Sequence, residues 1–493
     1  MMNPLLIRTL RQEVRNRAFL GIYLALLAAG ALTSAVVAAS NDGERPGQIL
    51  FVILSLASTG ALWFYQPLTA YRAMARERED DTWDLMELTG MSPGRIARGI
   101  VATSLVQGLF ILAALAPFLA VAYLLRGVDA VTLVIFLAGA LAGALSLGAL
   151  ATLLGCMGKT KATRTGLVSL LTIALLLLWM ISWPIWIEVT RRSGIAGAIA
   201  SNPLGGWLVV ATTLWHILLA GGLCLILAMT LMTHRAGDRS RLPRIAVLVV
   251  AIDILLLLGG IAWFEILTSV RGYGSDVLDE AAGTAGMLVM AWIAITGFFT
   301  ITEDEHVSLR QMRVIEQARG WRRPLTWILG PGAARGRVFF LAASLLAWIP
   351  AFISWQGTDS EPFQVTALIF GYAGLFLGLG DALTRTIAAR WITTPLARRA
   401  TLFGLVAGTT LLTSLLSIMI DDSWPMMFNP IMGSASPTIH HQDSVPFAWC
   451  AIVALVGGGM GTLWLVIGAF RSWIPRPRQT LASTEDRNPR GGG

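Results

Sequence analysis

Apolar runs of about twenty residues recur along this chain from residue 18 to residue 470, and no other feature limits the fold as strongly. Such a run, helical at about 1.5 Å per residue, crosses the ~30 Å hydrocarbon core of a bilayer. Backbone N–H and C=O groups find no water there, so an unbroken apolar segment must close its hydrogen bonds internally, as a helix. The sequence therefore predicts an all-α polytopic integral membrane protein. Composition agrees: 55% of residues are hydrophobic and 13% charged, against roughly 25% charged in a soluble chain.

Twelve spans are expected, near residues 18–39, 49–71, 100–125, 131–156, 166–188 and 210–232, then 245–268, 285–302, 338–355, 364–383, 401–420 and 447–470. With the N-terminus inside, the inside segments hold 32 of the 37 Arg and Lys residues, and the outside segments hold only Arg45, Arg126, Arg191, Arg192 and Arg271. Short loops rich in Arg and Lys stay on the cytoplasmic side, so both termini are predicted to be cytoplasmic. The only lysines are Lys159 and Lys161, the bias of a GC-rich bacterial genome, which points to the bacterial inner membrane. The net charge of +8 sits in short loops beside apolar runs. It reads as topology and lipid contact, with no nucleic-acid partner.

The expected organisation is an amphipathic interfacial helix over 1–17 and a first six-span half over 18–235. A second six-span half follows over 236–471, then a disordered cytoplasmic tail over 472–493. The first apolar run is long enough to span, which favours a retained helix over a cleaved signal peptide. Two short echoes suggest a parallel repeat. "PGRIARG" at 93–99 matches "PGAARG" at 331–336, and "NPLGG" at 202–206 matches "NPIMG" at 429–433, each pair in the same topological slot.

The inside loop 72–99 contains "REREDDTWDLMELTGMSPGR", nine charged residues in twenty. At 100° per residue Glu77, Asp80, Asp84 and Glu87 form one acidic stripe, with Trp83 and Met86 opposite. Gly90 suits a helix end, and Ser92-Pro93 suits the cap and first turn of the next. On these residues alone, the segment is a docking surface for a basic groove or a solvated interfacial helix.

The segment resembles the stretch after the second span of type-2 ABC exporter permeases. An Arg/Glu-rich start leads there to a Thr-x-x-x-Leu-x-x-Thr run and a Ser-Pro turn. The matching residues are Glu77, Glu79, Thr82, Leu85, Leu88, Thr89, Ser92 and Pro93. The amphipathic N-terminus and Asn202-Pro203, between spans 5 and 6, fit the same pattern. The resemblance covers residues 1–235 and implies a coupling helix that docks into a separate ATP-hydrolysing subunit, present in two copies. Glu77, Glu79, Asp80, Thr82, Trp83, Asp84, Leu85, Glu87, Thr89, Ser92 and Pro93 would form that contact. It implies ATP and Mg bound only by the partner, and an amphipathic or polymeric cargo. A usual permease has six spans and this chain has six more, so a homodimer and a single-chain pseudo-dimer both stay open. The second inside loop, 303–337, lacks the Thr-x-x-x-Leu-x-x-Thr run.

No nucleotide-binding motif is present. "GCMGKT" at 155–160 has Leu153 where a phosphate loop needs Gly. The chain therefore reads as a transport subunit without enzymatic activity of its own. The alternative is a gradient-driven 12-span secondary transporter, against which stand a 2–3 loop of 28 residues and a central loop of only 12. A membrane enzyme would need a metal or carboxylate cluster. The only candidates, His440, His441 and Asp443, lie in one outside loop where adjacent histidines chelate poorly, so no metal is expected.

Asp253 lies mid-span, where a charge costs about 2.5–3.5 kcal/mol, and is read as a pathway residue or a buried hydrogen bond. Asn202, Pro203, Asn429 and Pro430 are further pathway candidates. His216, Glu265 and Asp381 are expected to reach water at the interfaces. Glycines at 139, 143 and 148 and at 371, 374 and 378 have the spacing of close helix packing.

Overall fold

The computed structural model describes residues 17–39, 46–79, 92–125, 128–158, 160–191, 194–233, 237–268, 274–303, 320–356, 361–392, 394–420, 427–431 and 447–471, with single positions 313 and 317. The described residues form helices and turns, with no strand among them. Among the described residues, twelve helices are long and apolar enough to cross a membrane. Spans 1 to 6 are Arg17–Ala39, Pro46–Arg76, Pro93–Leu124, Ala130–Met157, Lys161–Glu188 and Pro203–Met232. Spans 7 to 12 are Arg241–Glu265, Val277–Ile301, Ala333–Trp355, Glu361–Arg385, Ala397–Ser417 and Ala448–Phe470.

Span 8 departs most from expectation. Its helix begins at Gly274 and carries Asp279 and Glu280 in its first turns, where hydropathy alone starts the span at 285. A helix continues past the hydrocarbon boundary at no cost to its hydrogen bonds, so charged first turns hide its start.

The chain divides into two compact units, Met1–His234 and Arg235–Gly493. In the first, span 1 packs on spans 2 and 3. Span 2 also packs on 3, 4 and 5, and span 4 on 3, 5 and 6, while span 6 also meets span 3. In the second unit every one of these pairings recurs six spans later: 7 with 8 and 9, 8 with 9, 10 and 11, 10 with 9, 11 and 12, and 12 with 9. The two units therefore share one internal topology, which the two short sequence echoes only hint at.

Each unit has its own apolar core. That of the first is built on Leu50, Phe51, Ile111, Leu115 and Phe136, and that of the second on Val289, Met290, Ile293, Phe340 and Ala347. Among the described residues, one helix of each unit carries a π turn: Ala61–Tyr65 in span 2 and Gly374–Leu379 in span 10. A π turn holds an extra residue and so rotates the face presented by everything after it. In span 2 it lets the Trp63 indole donate to the Ala140 carbonyl at 3.2 Å. In span 10 it lies where the backbone meets span 12.

That meeting is glycine against glycine. A Cβ on Gly461 would overlap the Gly374 carbonyl, one on Gly458 the Gly371 carbonyl, and one on Gly378 the Gly461 backbone. Glycines 139, 143 and 148 share the spacing but not the role. Gly139 faces open space, and Gly143 and Gly148 face the side chains of Trp63 and Ser104. Gly461→Ala is thus expected to destabilise the second unit by about 1–3 kcal/mol, the usual cost of overpacking. Gly459→Ala, on the same helix with nothing within 4 Å, should be neutral. Thermal unfolding of the two variants in detergent checks the difference.

Candidate functional site

At the end of the second unit predicted to face inside, one polar network joins all six of its spans. Arg244, near the start of span 7, is fully buried. Its guanidinium donates to the Ile328 and Gly330 carbonyls and pairs with Glu303 at 2.7 Å. The Glu303 carboxylate also accepts the Gly332 N–H at 3.0 Å. Burial pushes the Glu303 carboxyl above the usual range, against the pull of Arg244 and the Gly332 hydrogen bond.

The second centre is Asp381, in the last turn of span 10. One carboxylate oxygen accepts two bonds from Arg337 of span 9, at 3.1 and 2.7 Å, and the indole N–H of Trp464 of span 12 at 3.2 Å. The other oxygen accepts from Arg385 one helical turn away. Arg385 also donates to the Ile301 and Glu303 carbonyls at the end of span 8. Arg399 of span 11 donates to the Thr302 hydroxyl at 3.0 Å. Four arginines thus meet two carboxylates, and terminal helix carbonyls, where the helix dipole is negative, accommodate the excess positive charge.

Asp381 was expected to reach water. It is 1% exposed, because spans 9 and 12 close over it with Arg337 and Trp464. The sequence signal was present in part: Asp381 and Arg385 stand four apart, as helical ion pairs do. Arg337, however, is 44 residues away and Trp464 is 83, and nothing local announces either.

The network grips both stems of loop 303–337, Thr302–Glu303 on one side and Ile328–Gly332 on the other. In the first unit the corresponding spans, 2 and 5, are joined by a hydrogen bond that the Tyr71 hydroxyl donates to the Arg164 carbonyl at 2.8 Å. Farther along span 2 lies a cavity of about 20 Å³ whose polar lining is Thr69, Thr103, Ser104 and Gln107, room for about one water. Beside it, buried Gln66 donates to the Ser104 carbonyl at 2.8 Å.

The remaining candidates lie apart. Asp253 is half-buried at the middle of span 7, nine residues beyond Arg244. Asn202 is exposed and caps span 6, its side chain accepting the Gly205 N–H, with Pro203 in the first turn. Asn429 is buried; its side chain accepts the Ile431 N–H and reaches the Thr410 carbonyl and Ser414 hydroxyl of span 11 at 3.4 Å each, with Pro430 half-buried beside it. The neighbouring Met427 carbonyl accepts the Tyr372 hydroxyl. Tyr372 lies eleven residues, about 16 Å, beyond the N-terminal end of span 10 at Glu361, so segment 427–431 turns back into the membrane-spanning layer. Such a segment survives there only when protein satisfies its polar groups, which is what Asn429 and Tyr372 do. Ser92 caps span 3 by position, with Pro93 in the first turn, but its hydroxyl makes no capping bond. Glu77 and Glu79 fall in the helix Gln66–Glu79; Asp80, Thr82, Trp83, Asp84, Leu85, Glu87 and Thr89 lie outside the described residues, as do His440, His441 and Asp443. Among the described residues no group of metal-ligating side chains assembles.

Comparison with protein-family models, characterised proteins and solved structures finds no match.

Asp381→Ala would leave Arg337 and Arg385 buried without their carboxylate, and breaking a buried pair costs about 3–5 kcal/mol. The full chain should lose thermal stability accordingly, while Glu280→Ala, at an exposed position, should leave the unfolding midpoint within about a degree.

Proposed function

We propose that the chain is the membrane-spanning permease subunit of an ATP-binding-cassette exporter in a bacterial inner membrane, with both termini cytoplasmic. A separate ATPase subunit, in two copies, binds ATP and Mg and supplies the energy. One observation supports this reading above the rest: two six-span units share every internal helix pairing, and each places an inside loop between its second and third span. In the first unit that loop holds the coupling-helix resemblance, through Glu77, Glu79, Thr82, Leu85, Thr89, Ser92 and Pro93. One chain then supplies both permease halves.

Within the second unit the mechanical consequence follows from the clamp. A force on loop 303–337 reaches spans 7 to 12 together through Arg244, Glu303, Arg385 and Asp381, and so biases a whole bundle between two arrangements. The cargo class that the resemblance implies is amphipathic or polymeric.

Affinity purification of the full chain from native membranes in mild detergent, followed by mass spectrometry, tests the proposal. An ATPase should accompany the wild type and be lost when Glu77, Asp80 and Asp84 are changed to Lys. If no ATPase appears even after cross-linking, the exporter reading fails. The gradient-driven alternative rests on Asp253 and requires Asp253→Ala to abolish transport while membrane insertion stays intact.

A further inference from the structure

The short helix Arg322–Leu329 packs on the beginnings of spans 7 and 9, which places it at the membrane–water boundary. Arg244 holds its last turn through the Ile328 carbonyl. Leu329 is buried and Trp327 and Ile328 half-buried, whereas Trp321 is 73% exposed, Leu325 45%, and Arg322 and Arg323 are exposed. At 100° per residue Trp321, Arg322 and Leu325 share one face. The Arg322 guanidinium sits over the Trp321 ring and that of Arg335 over Trp327, each 5.8 Å from the centroid.

Neither Arg322 nor Arg323 has an ion-pair partner among the described residues. Of the described carboxylates at this end, Glu303 pairs with Arg244, and Asp238 accepts the Ser240 and Arg241 N–H groups. A second exposed patch follows the network on its other side, where Ile387, Arg390 and Trp391 succeed Arg385, with Trp391 81% exposed.

We propose that Trp321, Arg322 and Leu325 form a binding face for anionic phospholipid of the surrounding bilayer, with Arg323 flanking it on the far side of Arg322. The arginines meet the headgroup phosphate, and Trp321 and Leu325 meet the glycerol and upper acyl region. Each part has its reason. Arg forks bind phosphate through paired hydrogen bonds, and Trp settles at the headgroup level. A helix with both on one face lies in the interface and favours anionic lipid. A soluble acidic partner would neutralise the arginines but has no use for Trp321 and Leu325 at the depth where spans begin. Because Arg244 ties this helix to Glu303, lipid held here also steadies the buried network.

The test uses the full chain purified in mild detergent, with added phosphatidylglycerol, phosphatidylcholine or inorganic phosphate. Retained lipid is read by native mass spectrometry and stability by thermal unfolding. Phosphatidylglycerol should be retained and should raise the unfolding midpoint, and phosphatidylcholine should do neither. In the doubly substituted Arg322→Gln, Arg323→Gln chain the apparent affinity for phosphatidylglycerol should fall at least about tenfold, from about 1 kcal/mol per arginine near an anionic surface. The Arg322→Lys, Arg323→Lys chain should keep most of it. Equal responses to the two lipids, an unchanged response in the Gln variant, or full reproduction by inorganic phosphate would each overturn the proposal. Displacement of the lipid by polyglutamate with no loss of stability would assign the face to a protein partner instead.

Discussion

The second unit depends on burying charge without leaving it alone. A carboxylate such as Asp381, 1% exposed, is costly in the folded bundle unless opposite charges and hydrogen bonds replace its water. Arg337, Arg385 and Trp464 do so from three directions. The same arrangement would be unremarkable in a water-soluble protein. At one end of a helical bundle in lipid it fixes where four spans must meet, since no partial assembly satisfies the group. Apolar packing along the rest of the unit then only has to be compatible with that end, which the backbone contact of Gly374, Gly378, Gly458 and Gly461 permits.

The two units solve the same packing problem with different chemistry. Helix pairings repeat, but the first unit joins spans 2 and 3 through Gln66 and Ser104 and spans 2 and 5 through Tyr71 and the Arg164 carbonyl. Neutral hydrogen bonds can be exchanged for bonds to water or to a neighbouring backbone group at about 1 kcal/mol each. Buried ion pairs cannot be opened at that cost. Opening the clamp of the second unit therefore costs more than exchanging either of these two hydrogen bonds of the first.

Much of the fold was legible in the sequence because hydrophobicity is additive along a helix: runs of apolar residues gave the spans and their number. What the runs could not show was where charged helix ends continue, as at Asp279 and Glu280, or which charges meet. Glycine spacing was legible only as permission. At 371, 374 and 378 it is used for backbone contact, while at 139 it is not used at all, because the partner surface is a tertiary fact. The network escaped for the same reason. Glu303 carries no local signal in the loop 303–337, and Asp381 reads as a residue near water; the partners of both, Arg244 and Arg337, are distant in sequence. Asn202 and Asn429 stood out by their Asn-Pro context, and the structure uses both first as local braces for helix ends.

The sequence separation of the network's members also sets an order of events during synthesis. Arg244 emerges 59 residues before Glu303, Arg337 emerges 44 before Asp381, and Trp464 comes last of all. Each early arginine must wait at the lipid boundary for a partner the ribosome has not yet made, and Asp381 keeps an unfilled hydrogen-bond position until the final span arrives. The second unit can therefore insert helix by helix but can lock only once, after its last helix is in the membrane. A chain stopped short of span 12 would present the quality-control machinery with a charged, half-solvated end in place of a closed one.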